Sequence, residues 1–148
     1  MSAYPNTPLF MLPAATAVAY APHFIRGFIV IYHTKKWNNV SPRGQLEKVE
    51  SRMTKAGWAM AKRAEGAHIN GIETLPVFFG AVLAALHAGV AKDTVSFYST
   101  FFVASRVVYT IVYIFNTNQL SALARTGIWT AGMVACFKLF LAAAATKH

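Results

Sequence analysis

Apolar residues of this chain are concentrated in four long runs that are separated by shorter polar segments. The runs cover about residues 9–32, 69–90, 95–115 and 127–145. Each is close to the roughly 20 residues that cross a bilayer core of about 30 Å as an α-helix. The pattern therefore predicts an all-α membrane protein, in which four transmembrane helices form a single bundle over residues 1–148.

Composition agrees with this pattern and excludes several classes of protein. The chain has 148 residues, of which 55% are hydrophobic and 13% are charged. Soluble domains carry roughly 25% charged residues. A disordered chain is excluded because it would have low hydrophobicity. No nucleic-acid partner is expected, because a soluble basic domain could not cover so much apolar surface. A single cysteine excludes a disulfide scaffold.

The net charge of +9 is unevenly distributed, since eight of the fourteen Lys and Arg residues lie in the polar segment 33–63. Basic residues collect on the cytoplasmic side of membrane proteins, so this segment is predicted to be a cytoplasmic loop. The turn at Lys92 and Asp93 then lies outside, and the turn over 116–125 lies on the cytoplasmic side. Residues 45–68 predict a helix that runs into the second span. The loop cations also suit a surface that binds anionic lipid.

Ionisable residues inside the predicted spans cost about 2.5–3.5 kcal/mol each unless something compensates them. Glu73 in the second run and Arg106 in the third lie at similar predicted depths. We therefore expect them to form an ion pair. The pair serves either the architecture of the bundle or a ligand site, and the residues leave both open. Arg26, near the cytoplasmic end of the first run, either snorkels to the surface or joins a site.

Polar side chains follow one face of each of two consecutive predicted helices. The spacings are i, i+7, i+10 and i, i+3, i+7, for Arg63, Asn70, Glu73 and for Arg106, Tyr109, Tyr113. Two such faces predict a polar cavity that opens toward the cytoplasmic side, where Arg125 begins the fourth helix. With Arg26, Arg106 and Arg125 as its cations, the cavity would suit a small anionic ligand. The five histidines show no metal-binding spacing, and Cys136 is expected to be a packing residue.

Three stretches of the chain resemble one known family. The stretch KRAEGAHINGIETLP resembles the R-A, A-H-x-N-x-x-E-x-x-P signature of the membrane-associated proteins in eicosanoid and glutathione metabolism, the MAPEG family. The stretches ASRVVYTIVYI and ARTGIWTAG match further motifs in the same order, so that the resemblance covers Lys62 to Gly132. The pattern resembles bacterial and fungal members more closely than the eicosanoid synthases.

The resemblance implies a four-helix bundle that forms a homotrimer and binds glutathione between subunits near the cytoplasmic face. It also implies a glutathione transferase or peroxidase that acts on lipophilic small molecules dissolved in the membrane. Together with the polar faces, it predicts the residues that contact glutathione: Arg63, Asn70, Glu73, Arg106, Tyr109 and Tyr113. Arg125 matches an arginine that stabilises the glutathione thiolate. An adjacent cation lowers the pKa of a thiol from its ordinary value of about 8.5.

One departure from the family pattern keeps other functions open. Well-studied animal members have an arginine four positions before the motif asparagine, where this chain has Gly66. Arg63 or Arg52 could supply the missing cation. The alternative is a non-catalytic trimeric membrane protein of the same fold, with a lipid-binding or structural role. A small transporter fits less well, since the chain shows no internal repeat. The resemblance implies the endoplasmic reticulum membrane for a eukaryotic protein and the inner membrane for a bacterial one.

Overall fold

The computed structural model describes residues 7–146 and is helical, without strands, over that range. The helices are α1 (Thr7–Thr34), α2 (Gln45–Lys48), α3 (Lys55–His87), α4 (Lys92–Phe115) and α5 (Gln119–Ala145). A short 3-10 turn, Glu50–Arg52, lies between α2 and α3. The all-helical prediction is therefore confirmed.

Each of the four long helices is long and apolar enough to cross a membrane. The shortest, α4, has 24 residues, and the longest, α3, has 33 residues. At about 1.5 Å per residue even α4 exceeds the thickness of the hydrocarbon core. The chain is thus an integral, multi-pass membrane protein.

The prediction of one continuous helix over residues 45–68 is wrong, because residues 49–54 separate α2 from α3. Thr54 adopts an extended conformation there, and its hydroxyl accepts a hydrogen bond from the Gly57 amide at 3.1 Å. A threonine in this position is a favourable N-cap, which begins a new helix rather than continuing an old one. The predicted loop 33–63 therefore contains the first nine residues of α3.

The predicted turn over 116–125 is also too long, since α5 already begins at Gln119. Asn118 is its N-cap, and the Asn118 side-chain oxygen accepts a hydrogen bond from the Ser121 amide at 2.9 Å. Asn is a strong N-cap residue, so the helix begins directly behind it. As a result Arg125 lies in the second turn of α5 instead of at its start.

Helix α3 is the centre of the bundle, in contact with α1, α4 and α5. Its Phe78 is fully buried and stacks on Phe102 of α4, with ring centroids 4.2 Å apart and planes 7° apart. Cys136 of α5 is buried in the same apolar cluster, as expected for a packing residue. This core holds α3, α4 and α5 together on one side of the polar residues described next.

Candidate functional site

A polar cavity of about 440 Å³ lies between α3, α4 and α5. It is lined by the middle of α3, the last two turns of α4 and the second and third turns of α5, in the half of the bundle that is nearer to the basic loop. Five of the predicted site residues line it: Asn70, Glu73, Tyr109, Tyr113 and Arg125. Parts of the two polar helix faces thus line one cavity, and Arg63 and Arg106 of those faces do not line it.

Two arginines and two tyrosines form a continuous stack along this cavity. The Arg106 Cζ atom lies 4.0 Å from the centroid of the Tyr109 ring. Tyr109 and Tyr113 meet edge to face at 5.5 Å. The Arg125 Cζ atom then lies 4.4 Å from the Tyr113 ring. Cations over aromatic faces are attracted to the ring, so the stack orients both guanidinium groups.

The prediction of an ion pair between Glu73 and Arg106 is wrong. Arg106 Nη1 instead donates a hydrogen bond to the Asn70 side-chain oxygen at 3.3 Å, and Glu73 is exposed at the cavity. Asn70 lies three residues before Glu73 on α3, which is a difference of about 4.5 Å along the helix axis. A depth estimate good to one or two turns could not distinguish the two partners.

Arg106 is 5% exposed and lies behind the cavity wall, in contact with Asn70 and Tyr109. Its Nε and Nη2 groups are buried without a hydrogen-bond partner among residues 7–146. Unsatisfied buried donors are costly, and more so on a charged group. Arg106 therefore places a positive charge under the cavity that the protein itself leaves only partly compensated.

Arg63 does not line the cavity. Its Nε donates a hydrogen bond to the Ile114 carbonyl oxygen at 2.7 Å. That carbonyl belongs to the last turn of α4, where backbone acceptors have no partner within the helix. Arg52 is also elsewhere, on the loop in front of α3. Neither arginine lines the cavity beside Gly66 in the single chain, and a ligand contact by Arg63 stays a prediction.

Arg26 forms an ion pair that the sequence did not predict. Its Nη1 atom lies 2.6 Å from the Glu65 carboxylate, and its Nη2 donates to the Pro42 carbonyl oxygen at 3.3 Å. Both Arg26 and Glu65 line a second cavity of about 520 Å³, on the α1 side of α3. Within one chain, therefore, Arg26 does not line the same cavity as Arg125, and it neither snorkels freely nor lacks a counter-charge.

Comparison with known proteins assigns the chain to a family. The MAPEG family model matches residues 8–145, which is nearly the whole chain. The chain belongs to the MAPEG family. No curated protein sequence and no solved structure gives a significant match. The MAPEG family includes glutathione-dependent enzymes and also members without enzymatic activity.

Four residues that the sequence argument had not assigned to the site also line the cavity of this MAPEG chain: Gly66, Ile69, Thr126 and Trp129. Trp129 follows Arg125 at i+4 and therefore shares its helix face, so the spacing on α5 could have indicated it, whereas Thr126, at i+1, does not share that face. Glu65 could not have been found in this way, because its partner Arg26 lies 39 residues away in another helix.

Gly66 lies directly against the Tyr113 side chain. A β-carbon at Gly66 would lie 2.6 Å from the Tyr113 hydroxyl oxygen and 3.1 Å from Cζ. The Tyr113 ring is held between Tyr109 and Arg125, so it cannot move without losing these contacts. The phenol thus occupies the space beside α3 that any side chain at position 66 would need.

Gly66→Ala is expected to remove the benefit that alanine normally brings to a helix. Helix propensity favours alanine over glycine by about 1 kcal/mol, whereas overpacking costs about 1–3 kcal/mol. Gly127 of α5 is the matched control, because a β-carbon there would meet nothing within 4 Å. Thermal unfolding in detergent should show stabilisation for Gly127→Ala and none for Gly66→Ala. Equal stabilisation of the two variants would show that Tyr113 is not held in place.

Proposed function

We propose that this protein is a glutathione transferase or peroxidase that acts on lipophilic electrophiles from the surrounding membrane. The observation that carries the proposal is one cavity that brings Arg125 and Tyr113 together with Asn70 and Glu73. Its volume of about 440 Å³ falls in the range of small-molecule sites, roughly 300–1,000 Å³. A tripeptide with two carboxylates, an amino group and a thiol needs such a mixture of cationic, amide and acidic contacts.

The chemistry follows from the fixed charges around the cavity. Arg106 and Arg125 contribute positive potential that favours the carboxylates and the thiolate of glutathione, while the Glu73 carboxylate suits its amino group. A cation beside the thiol lowers its pKa and raises the fraction of thiolate. The thiolate sulfur then attacks an electrophilic carbon, a carbon–sulfur bond forms, and the leaving group departs with the displaced electron pair.

The cavity is open on one side of the single chain. Substrates could enter it there from the bilayer, and a second subunit could complete the site. Glu73 and Ile69 are exposed in the single chain, at positions that border both the cavity and the second cavity near α1. We therefore include in the proposal the homotrimer, with glutathione bound between subunits. The membrane would be the endoplasmic reticulum membrane or a bacterial inner membrane.

A non-catalytic membrane protein of the same fold is the second candidate. The observation in its favour is that neither Arg63 nor Arg52 lines the cavity of the single chain, so neither replaces the cation missing at Gly66 there. Such a protein would retain the bundle and the Arg26–Glu65 pair for folding alone. It would not bind glutathione.

Glutathione is expected to raise the unfolding temperature of the detergent-solubilised wild-type protein, because only the folded state has the cavity. Glu73→Gln should weaken the apparent glutathione affinity about tenfold, as a hydrogen bond to a charged group is lost. The matched control is Glu50→Gln, the same change on the exposed loop, which should leave the affinity unchanged. If glutathione leaves the wild-type unfolding temperature unchanged, the non-catalytic candidate is favoured and the transferase proposal fails.

A further inference from the structure

A basic groove lies where α1 ends and the chain enters the loop. It has a volume of about 260 Å³, and its cationic side chains are Lys36, Lys48 and Arg52. All three residues are exposed, and none of them takes part in an ion pair within residues 7–146. Lys62, by contrast, has its charge compensated by Glu47 and Glu65. The groove therefore presents three uncompensated positive charges just beyond a membrane-spanning helix.

An apolar groove of similar size runs along the adjoining part of α1. Its volume is also about 260 Å³, and Phe24, Phe28 and Ile31 form its walls. Phe24 is 62% exposed and Phe28 is 71% exposed. A large exposed apolar surface on a spanning helix faces lipid acyl chains. This second groove is thus suited to a hydrocarbon chain and carries none of the cations of the first.

Trp37 borders both grooves. Its six-membered ring packs against α1 at Gly27, where a β-carbon would lie 3.7 Å from Cζ3. Its indole Nε1 donates a hydrogen bond to the Asn39 side-chain oxygen at 2.7 Å. Tryptophan collects at the membrane–water interface because one part of the ring system is apolar and the other is polar. Trp37 therefore marks the boundary between a charged groove in water and an apolar groove in the bilayer.

We propose that these two grooves form one binding site for an anionic phospholipid. The phosphate of the headgroup lies among Lys36, Lys48 and Arg52, and an acyl chain lies along Phe24 and Phe28. Charge complementarity favours an anionic headgroup over a zwitterionic one, and burial of the acyl chain favours a lipid over a free anion. The site does not depend on the glutathione proposal, because it shares no residue with the cavity that contains Arg125.

Binding of short-chain phospholipids to the full-length protein in non-ionic detergent tests this proposal. The probe is dioctanoyl phosphatidate, with the shift in unfolding temperature as the measurement. Dioctanoyl phosphatidylcholine has the same chains without net charge, and inorganic phosphate has the same charged group without chains. We expect phosphatidate to stabilise the wild-type protein and the other two compounds to have little effect.

Two triple variants with the same change in net charge distinguish the groove from the loop as a whole. Lys36→Gln/Lys48→Gln/Arg52→Gln should weaken phosphatidate binding by roughly a hundredfold, given the contribution of each basic residue near a lipid phosphate. The matched control replaces three exposed cations of the same segment that lie outside the groove: Lys35→Gln/Arg43→Gln/Lys55→Gln. It should lose less than about threefold, because none of these three side chains lines the groove and exposed charges that do not contact the phosphate are partly screened by salt.

The proposal also requires the apolar groove for phosphatidate binding. Gly27→Leu fills the space beside Trp37 and should weaken phosphatidate binding while leaving all the cations in place. Three results would overturn the proposal: no stabilisation of the wild type by phosphatidate, equal loss in the two triple variants, or equal stabilisation by inorganic phosphate. The second would indicate a diffuse surface charge, and the third would indicate a simple anion site.

Discussion

Arg125→Ala is expected to lower the rate of glutathione conjugation by about a hundred- to a thousandfold, the usual effect of removing one charge-stabilising group from a reacting centre. Arg125 reaches the cavity from the second turn of α5, and its guanidinium is held over the Tyr113 ring at 4.4 Å. Without this cation the bound thiol returns toward its ordinary pKa of about 8.5, so that little thiolate forms at neutral pH.

The thiolate absorbance of bound glutathione measures this effect directly, together with the pH profile of conjugation. The thiolate fraction rises with pH, so Arg125→Ala should regain part of its activity at alkaline pH, whereas the wild type should change little. Arg125→Lys keeps a charge and should retain part of the rate. Arg52→Ala is the matched control outside the cavity and should behave as the wild type. A thiolate signal in Arg125→Ala as strong as that of the wild type would contradict the proposed role of Arg125 in stabilising the thiolate.

Arg26→Met is expected to destabilise the folded protein by about 3 kcal/mol, near the lower end of the range for breaking a buried ion pair. Arg26 is 5% exposed and bridges α1 to α3 through Glu65, and to the loop through the Pro42 carbonyl. Its removal leaves the partly buried Glu65 with only Lys62, at 3.4 Å, as a counter-charge among residues 7–146. The side chain of Glu65 is 20% exposed, and this partial access to solvent limits the loss.

A double variant separates the ion pair from the volume of the arginine side chain. Arg26→Met/Glu65→Gln has no uncompensated carboxylate and should regain much of the stability that Arg26→Met loses. Arg43→Met removes an exposed cation from the same region and should change little. Thermal unfolding of the four proteins in one detergent gives the comparison. If Arg26→Met unfolds at the wild-type temperature, the pair does not hold α1 to α3.

Much of the cavity could be predicted from sequence because helical periodicity places Asn70 with Glu73 and Tyr109 with Tyr113. What periodicity cannot supply is the axial register between helices. Arg106 could have contacted either Asn70 or Glu73, which lie about one helical turn apart on α3. The axial position of α4 relative to α3 places it at Asn70. In the same way, Arg63 shares a helix face with Asn70 and yet ends at the last turn of α4. Local capping by Thr54 and Asn118 set helix starts that hydropathy alone had misplaced.

The amino-acid sequence by itself determined the four membrane-spanning helices, the concentration of basic residues between the first two, and the residues that carry the family motifs. It did so because the length of apolar runs and the spacing of polar residues are properties of the chain alone. The tertiary structure decided which charges meet. Arg26 forms an ion pair with Glu65, Arg106 donates a hydrogen bond to Asn70, and Arg125 lies over the ring of Tyr113. These contacts depend on the position of neighbouring helices relative to one another to within a few ångströms, which local sequence patterns do not determine.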